Sequence, residues 1–192
     1  DGELLIVGTD RRGTIYGIYD FCEWLGVSPW YFFADVPVRR RSEAVIESGY
    51  CKVDYPSVEY RGIFINDEEE LEHWVWRYMG ETTIGVKTYE KIFELLLRLK
   101  LNYIWPAMHV NSFNLKQENG ALANRMGIVV GTSHCDMLMR SNNREWKPWL
   151  AKKGYTDVEY DFSIPGRNRE ILKEYWRESV EQNRDFEVSY TV

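Results

Sequence analysis

The sequence predicts an α/β protein with parallel strands, organised as about four βα units. Short apolar runs alternate with segments of helical periodicity from about residue 58 onward. Strands joined through helices pair in parallel, because a crossover returns the chain in the same direction. Each apolar run also empties into a long stretch rich in polar, reactive side chains. A doubly wound sheet and a (β/α) barrel both fit this alternation. The loaded loops favour the barrel, where the C-terminal strand ends carry the site. Four strands would make half of a (β/α)8 TIM barrel.

The elements follow in order. "ELLIV" (3–7) reads as a strand and leads into "GTDRRGTIYGIYDFCEWLG", where Ile15, Ile18, Tyr19, Cys22 and Leu25 recur at helical spacing. Thr9 or Asp10 can cap that helix, and Gly26 can end it in a left-handed conformation. Its glycines match neither phosphate-binding pattern and read as turn and packing glycines. The aromatic "VSPWYFFADVPV" lies between Pro29 and Pro37, and the polar "RRRSEAVIESG" after it marks a boundary near residues 40–55.

Beyond it, "EYRGIFI" reads as a strand ending in the acids of "NDEEE". "VKTYEKIFELLLRLK" (86–100) is a helix with Tyr89, Ile92, Phe93, Leu96 and Leu99 on one face. "LNYIW" (101–105) is the second strand, "ENGALANRMG" a short helix and "IVVG" (128–131) the third strand. "PGRNREILKEYWRESVEQN" (165–183) is a long helix, capped by Ser163 or with Pro165 in its first turn, and "FEVSYTV" (186–192) is a fourth strand.

Composition narrows the function. The 192 residues are 44% hydrophobic and 28% charged, ordinary for a globular protein. A net charge of −6 without a basic stripe argues against nucleic acid, and no apolar run reaches membrane-spanning length. The N-terminus lacks a Met and a charged-then-apolar leader, so a fragment or processed chain is expected, with the compartment left open between cytoplasmic and secreted. Three cysteines without framework spacing predict no structural disulfide. Aromatic content is high, at 15% with eight Trp and thirteen Tyr. Such rings stack on sugar faces, although most pack in cores.

The candidate site residues sit at three strand ends. The first releases Asn66 and Asp67. The second, "WPAMHVNSFN", offers Trp105, His109, Asn111 and Asn114. The third, "GTSHCDMLMR", offers Thr132, Ser133, His134, Cys135, Asp136 and Arg140. Glu68, Glu69 and Glu70 fit a solvated helix start, where acids complement the dipole. Trp146 and Trp149 read as packing, with Lys147 between them able to reach an anionic ligand. His109, His134, Cys135 and Asp136 are ligand types, but their spacing matches no metal motif.

Taken together, "GTDRRGTIYGIYDFCEWLGVSPWYFFADVPV", "YRGIFINDE", "NYIWPAM", "GIVVGTSH" and "FEVSYTV" resemble the xylan α-1,2-glucuronidases of glycoside hydrolase family 115, in the right order and across nearly all of the chain. The resemblance implies that residues 1–42 are the C-terminal part of an N-terminal α/β accessory domain. Residues 43–57 would be a linker, and 58–192 the first half of a catalytic (β/α)8 barrel. It implies inverting removal of glucuronic acid, or its 4-O-methyl ether, from glucuronoxylan without a cofactor or metal. Asp67 is similar to the family's essential carboxylate after the first barrel strand, and His134 to a pocket histidine. Glu23 resembles a carboxylate contributed by the preceding domain, and Lys147 a basic substrate contact. Asn66, Trp105 and His109 join them as substrate-binding candidates.

His109 stands where the family pattern has Trp, and Cys135-Asp136-Met137 where it has His-Glu-Pro; both departures bear on substrate range. The implied partners are glucuronoxylan or its oligosaccharides and the rest of the barrel, expected beyond Val192 with the second carboxylate. A homodimer of the full-length enzyme is left open. By that account residues 1–192 alone are inactive. A non-catalytic carbohydrate-binding module is the rival reading, and a metal-dependent barrel hydrolase a further one.

Overall fold

The structure is a computed structural model that describes residues 3–192. The chain divides into two compact units, residues 1–61 with 91–102, and residues 62–90 with 103–192.

In the first unit, helix α1 (Arg11–Trp24) starts where the Asp10 carboxylate accepts the Gly13 amide at 2.6 Å. That is N-capping: a side-chain oxygen satisfies one of the amides a helix start leaves free. The helix ends with the Val27 amide donating to the Cys22 carbonyl at 3.0 Å and the Gly26 amide to the Glu23 carbonyl at 2.9 Å. Gly26 has φ +103°, a conformation glycine adopts without a Cβ penalty. Gly17 is a packing glycine, since a Cβ there would lie 2.5 Å from the Ile6 Cγ2.

The expected strand at 3–7 is absent: the segment pairs with no other strand among the described residues, and Leu5 and Val7 are exposed. A run of five apolar residues makes a strand only where a second edge supplies its backbone partners. The Tyr16 hydroxyl donates to the Leu101 carbonyl at 3.1 Å. Asp20 pairs with Lys52 at 2.6 Å and Lys100 at 2.9 Å. The Lys52 ammonium in particular holds the Asp20 carboxyl below its usual range. Burial pushes the Glu94 carboxyl up, but hydrogen bonds from Lys91, Arg98 and Tyr31 outweigh it and keep it low.

The second unit holds a three-stranded parallel sheet in the order β1 (Gly62–Phe64), β2 (Tyr103–Trp105), β3 (Val129–Val130). Gly62 pairs with Tyr103 and Phe64 with Trp105, while Tyr103 pairs with Val129 and Ile104 with Val130. The strands are shorter than the apolar runs that announced them. β1 is also exposed along its length, although Ile63 and Phe64 are apolar. It is an edge with a neighbour on one side only, so its apolar residues outrun the surface available to cover them. Gly62 and Gly131 are required by close approach, because Cβ atoms there would meet the Tyr103 carbonyl oxygen and the Tyr103 hydroxyl, at 2.1 and 1.9 Å.

The expected fourth strand is reduced to a single parallel bridge between Val130 and Val188. The Ser189 amide donates to the Val130 carbonyl at 2.9 Å, and the Val130 amide to the Glu187 carbonyl at 3.2 Å. β3 is two residues long, so it offers too little edge for a fuller ladder.

Among the described residues there are six α-helices: α1, α2 (Glu69–Trp74), α3 (Val86–Arg98), α4 (Gln117–Met126), α5 (Trp146–Lys153) and α6 (Arg167–Gln182). α2 runs into a π-helical turn, Val75–Met79, closed by Gly80 at φ +65°. α3 contributes residues to both units. Tyr89, Ile92, Phe93 and Leu96 are buried as the periodicity requires, with Leu95 and Leu97 buried too. α6 follows Gly166 at φ +75°, so Ser163 does not cap it and Pro165 lies before its first turn. Asn168 instead ties the preceding loop down, accepting from the Glu159 amide at 2.8 Å and donating to the Glu159 and Asp161 carbonyls. Trp146, Trp149, Ile171, Leu172 and Tyr175 form a buried cluster between α5 and α6, which bears out the packing reading of both tryptophans. The three cysteines are free. Among the described residues no helix is long and apolar enough to cross a membrane.

Candidate functional site

The polar centre of the second unit is Asp67, three residues past the end of β1. Its side chain is 1% exposed. One carboxylate oxygen, Oδ1, accepts the His109 amide at 2.9 Å. The other, Oδ2, accepts the Val110 and Asn111 amides, each at 2.7 Å, and the Asn111 side-chain amide at 2.8 Å. Three successive backbone N–H groups converging on one carboxylate form a cradle, and bonds to an ionised acceptor are roughly twice as strong as neutral ones. A buried carboxyl is tolerable on these terms, because its lone pairs are met by donors.

The cradle is braced from outside. The Asn111 side-chain oxygen, Oδ1, accepts the Ile84 amide at 3.0 Å, and its side-chain NH2 also reaches Glu72 at 3.4 Å. Arg144 donates to the His109 carbonyl at 3.2 Å. Both backbone groups of His109 are therefore pinned, while its side chain remains exposed.

Around the cradle the other rim residues take distinct places. Asn66 is exposed beside Asp67. Trp105 is 39% exposed; its indole N–H donates to the Tyr103 hydroxyl at 3.2 Å, and Phe64 meets its ring edge-on at 5.9 Å. The loop after β3 touches the loop after β2 where the Ser133 hydroxyl meets the Met108 sulfur at 2.9 Å. His134 is exposed, with its Nδ1 3.4 Å from the Ser133 hydroxyl. Lys147 is exposed on the first turn of α5. Glu68 to Glu70 are exposed where α2 begins, as a solvated helix start requires. Glu23 belongs to the first unit, where it lines a pocket of about 290 Å³ together with Asp20, Trp30, Arg98 and Lys100.

Beneath the rim lies a charged layer whose roles the sequence did not announce. Glu145 is 2% exposed. It accepts from the Ser112 hydroxyl at 2.6 Å, the Ser141 amide at 3.2 Å and the Arg140 guanidinium at 2.6 Å. Arg140 lies over the Tyr175 ring at 4.5 Å and donates to the Tyr175 carbonyl. Asp136, 6% exposed, has one carboxyl oxygen without a partner. Burial, reinforced by the Glu145 charge, pushes its carboxyl up to about 7. Burial likewise raises the Tyr175 hydroxyl. The one local hint was "SNNREW", where an acid directly precedes a buried Trp. Among the described residues no group of three or more His, Cys, Asp or Glu side chains converges to hold a metal ion.

The arrangement offers a fixed carboxylate, two exposed imidazoles and a partly exposed indole at the ends of parallel strands, and an exposed ammonium on α5. These groups suit recognition of a polar, partly anionic ligand with flat faces, and acid–base chemistry upon it.

Comparison with known proteins gives this arrangement a family. The glycosyl hydrolase family 115 model matches residues 53–192. A solved structure described as a family GH115 4-O-methyl-alpha-glucuronidase, BtGH115A, with specificity for decorated arabinogalactans superposes with a TM-score of 0.85 at 36% identity. The match covers 96% of this chain and 24% of that one, so the present chain spans about a quarter of the length of its structural relative. No curated protein matches the chain. With the family model matching well over half of its residues, the chain belongs to glycosyl hydrolase family 115.

Proposed function

We propose that this chain is part of a glycoside hydrolase that removes glucuronic acid, or its 4-O-methyl ether, from glucuronoxylan by an inverting route. The observation that carries the reading is the 36% identity to a GH115 α-glucuronidase across 96% of the chain. In this reading the three sheet strands are the beginning of a (β/α)8 barrel. Their order, β1-β2-β3, supports it, since consecutive parallel neighbours add in one direction around a barrel. A doubly wound sheet reverses its order at a switch point.

Inversion needs two carboxyl groups, one protonating the leaving oxygen and one activating water from the opposite face, roughly 6.5–9.5 Å apart. Asp67 is proposed as one of them. Its Oδ1 accepts a single hydrogen bond, so that oxygen keeps an acceptor site for water or a sugar hydroxyl, while Oδ2 is held by three donors. The amide cradle fixes the direction of the charge before substrate arrives. His134, His109 and Lys147 are proposed to address the uronate, and Asn66 and Trp105 the sugar ring. Glu23 is proposed as a contribution from the first unit.

Uronic acid release by the full-length enzyme that contains this chain is the test, assayed on glucuronoxylan and on a decorated arabinogalactan, with His134→Ala alongside the wild type. The expected result is release from glucuronoxylan, with turnover or KM impaired in the variant while its thermal midpoint is retained. Release from arabinogalactan alone would move the substrate to that named for the structural relative. A large fall in the His134→Ala melting temperature with near-normal kinetics would remove His134 from the site.

A further inference from the structure

Three carboxyls are buried in the second unit, Asp67, Asp136 and Glu145, at 1%, 6% and 2% exposure. Their partners are unequally divided. Asp67 has four donors, three of them backbone amides. Glu145 has a hydroxyl, an amide and the guanidinium of Arg140. Arg140 is buried too, and its remaining contacts go to Glu178 and the Tyr175 carbonyl.

Asp136 has an Oδ1 without a partner, and of the groups acting on its carboxyl only the Ser141 side chain favours the charged form. The groups facing it bring no compensating cation. Glu145 at the start of α5 and, more weakly, Asp67 after β1 are the charges that act on it. Tyr160, and Tyr175 on α6, feel its charge in return. On its own loop His134 is exposed and Cys135 half-buried. A buried carboxylate with an empty acceptor and two anionic neighbours is costly, and the inexpensive remedy is to bind a proton.

We propose that Asp136 is the proton-holding member of this trio and a positioning residue for Asp67, keeping a second uncompensated charge away from the cradle. The elevation of its carboxyl to about 7 agrees with that placement. Ionising Asp136 would set its charge against Asp67 and Glu145 and loosen the loops that Asp67 and Ser141 hold. The positioning role rests on the reading of Asp67 as a reacting carboxylate; the protonation does not.

The test compares the full chain with Asp136→Asn, whose amide mimics the neutral acid. A folded-state value raised above the unfolded one contributes stability that is complete below about pH 4 and lost as pH rises toward the folded value. The wild-type unfolding constant should therefore climb relative to Asp136→Asn by up to about tenfold per pH unit from about pH 4, levelling near about pH 7. A ratio that stays constant across that window overturns the protonation. If Asp136→Asn does not fold, infrared titration of the wild type decides the same point. The carbonyl stretch of a protonated carboxyl should vanish around about pH 7, and no such loss near neutrality would contradict the proposal.

For the positioning role, uronic acid release by the full-length enzyme should fall as pH rises through neutrality in the wild type and hold level in its Asp136→Asn variant. Superimposable rate profiles with the stability difference intact would overturn positioning alone. Absence of any uronic acid release by the full-length enzyme would defeat the glucuronidase reading while leaving the stability result standing.

Discussion

The Asp67 cradle and the aromatic cluster between α5 and α6 lie in the same unit and are held by opposite kinds of interaction. In the cradle one charged group satisfies four donors within 2.9 Å, and its carbon atoms contribute almost nothing. In the cluster Trp146 stacks on Trp149 at 5.8 Å and meets Tyr160 and Tyr175 edge-on at 5.3 and 5.0 Å. Many weak contacts there sum to a large burial term, and no one of them sets a direction. The cluster supplies bulk stability, and the cradle supplies aim. A single substitution should consequently do different damage in each place.

The largest expected effect is Asp67→Ala. Each donor left buried and unpaired costs about 1–3 kcal/mol, so losing the shared acceptor of four should destabilise the chain by about 4–6 kcal/mol. Chemical denaturation would measure it. Asp67→Asn is not a silent control, because its NH2 group faces N–H donors where an acceptor stood. It should cost about 2–4 kcal/mol by the same reasoning.

Trp146→Ala comes next. It is 95% buried by the complement of its 5% exposure, and removing a large core aromatic costs about 3–5 kcal/mol. Here the geometry of the rim should survive, so near-neutral substitutions such as Trp146→Phe should recover much of the loss. An Asp67 variant has no comparable rescue by size.

The smallest effect is Tyr175→Phe. It keeps the ring and deletes the hydroxyl that donates to the Ser141 carbonyl at 3.0 Å, a loss of about 1 kcal/mol. A cost near that of Trp146→Ala would show that the cluster is organised by hydrogen bonding after all.

The two regions also differ in how far they could be read from the chain. The cluster was legible in part: Trp146 and Trp149 read as packing and 165–183 as a helix, but helix α5 and the meeting of its tryptophans with Ile171, Leu172 and Tyr175 came only with the structure. The same periodicity located α3, α4 and α6 to within a few residues. Strand lengths were less legible. Expected strands of four to seven residues became strands of two or three, and FEVSYTV became one bridge, because pairing depends on an edge elsewhere in the chain.

For the site, Asp67 could be placed at a strand end from its neighbours alone. Its donors could not be identified, since they come from residues 42 to 44 positions later. Nor does any local spacing announce that Asp136 lacks the partners that Glu145 has. Local patterns record which residues reach the rim, and tertiary hydrogen bonding decides which of them are fixed there.

Amide hydrogen exchange at His109, Val110 and Asn111 tests the central claim most directly, that the Asp67 carboxylate fixes the rim loop from within. These three N–H groups lie in a loop, yet each donates to Asp67. They should exchange through openings nearly as costly as those of the α3 interior, and lose that protection in Asp67→Asn. Exchange in the wild type as fast as in the exposed segment 42–46 would contradict the account.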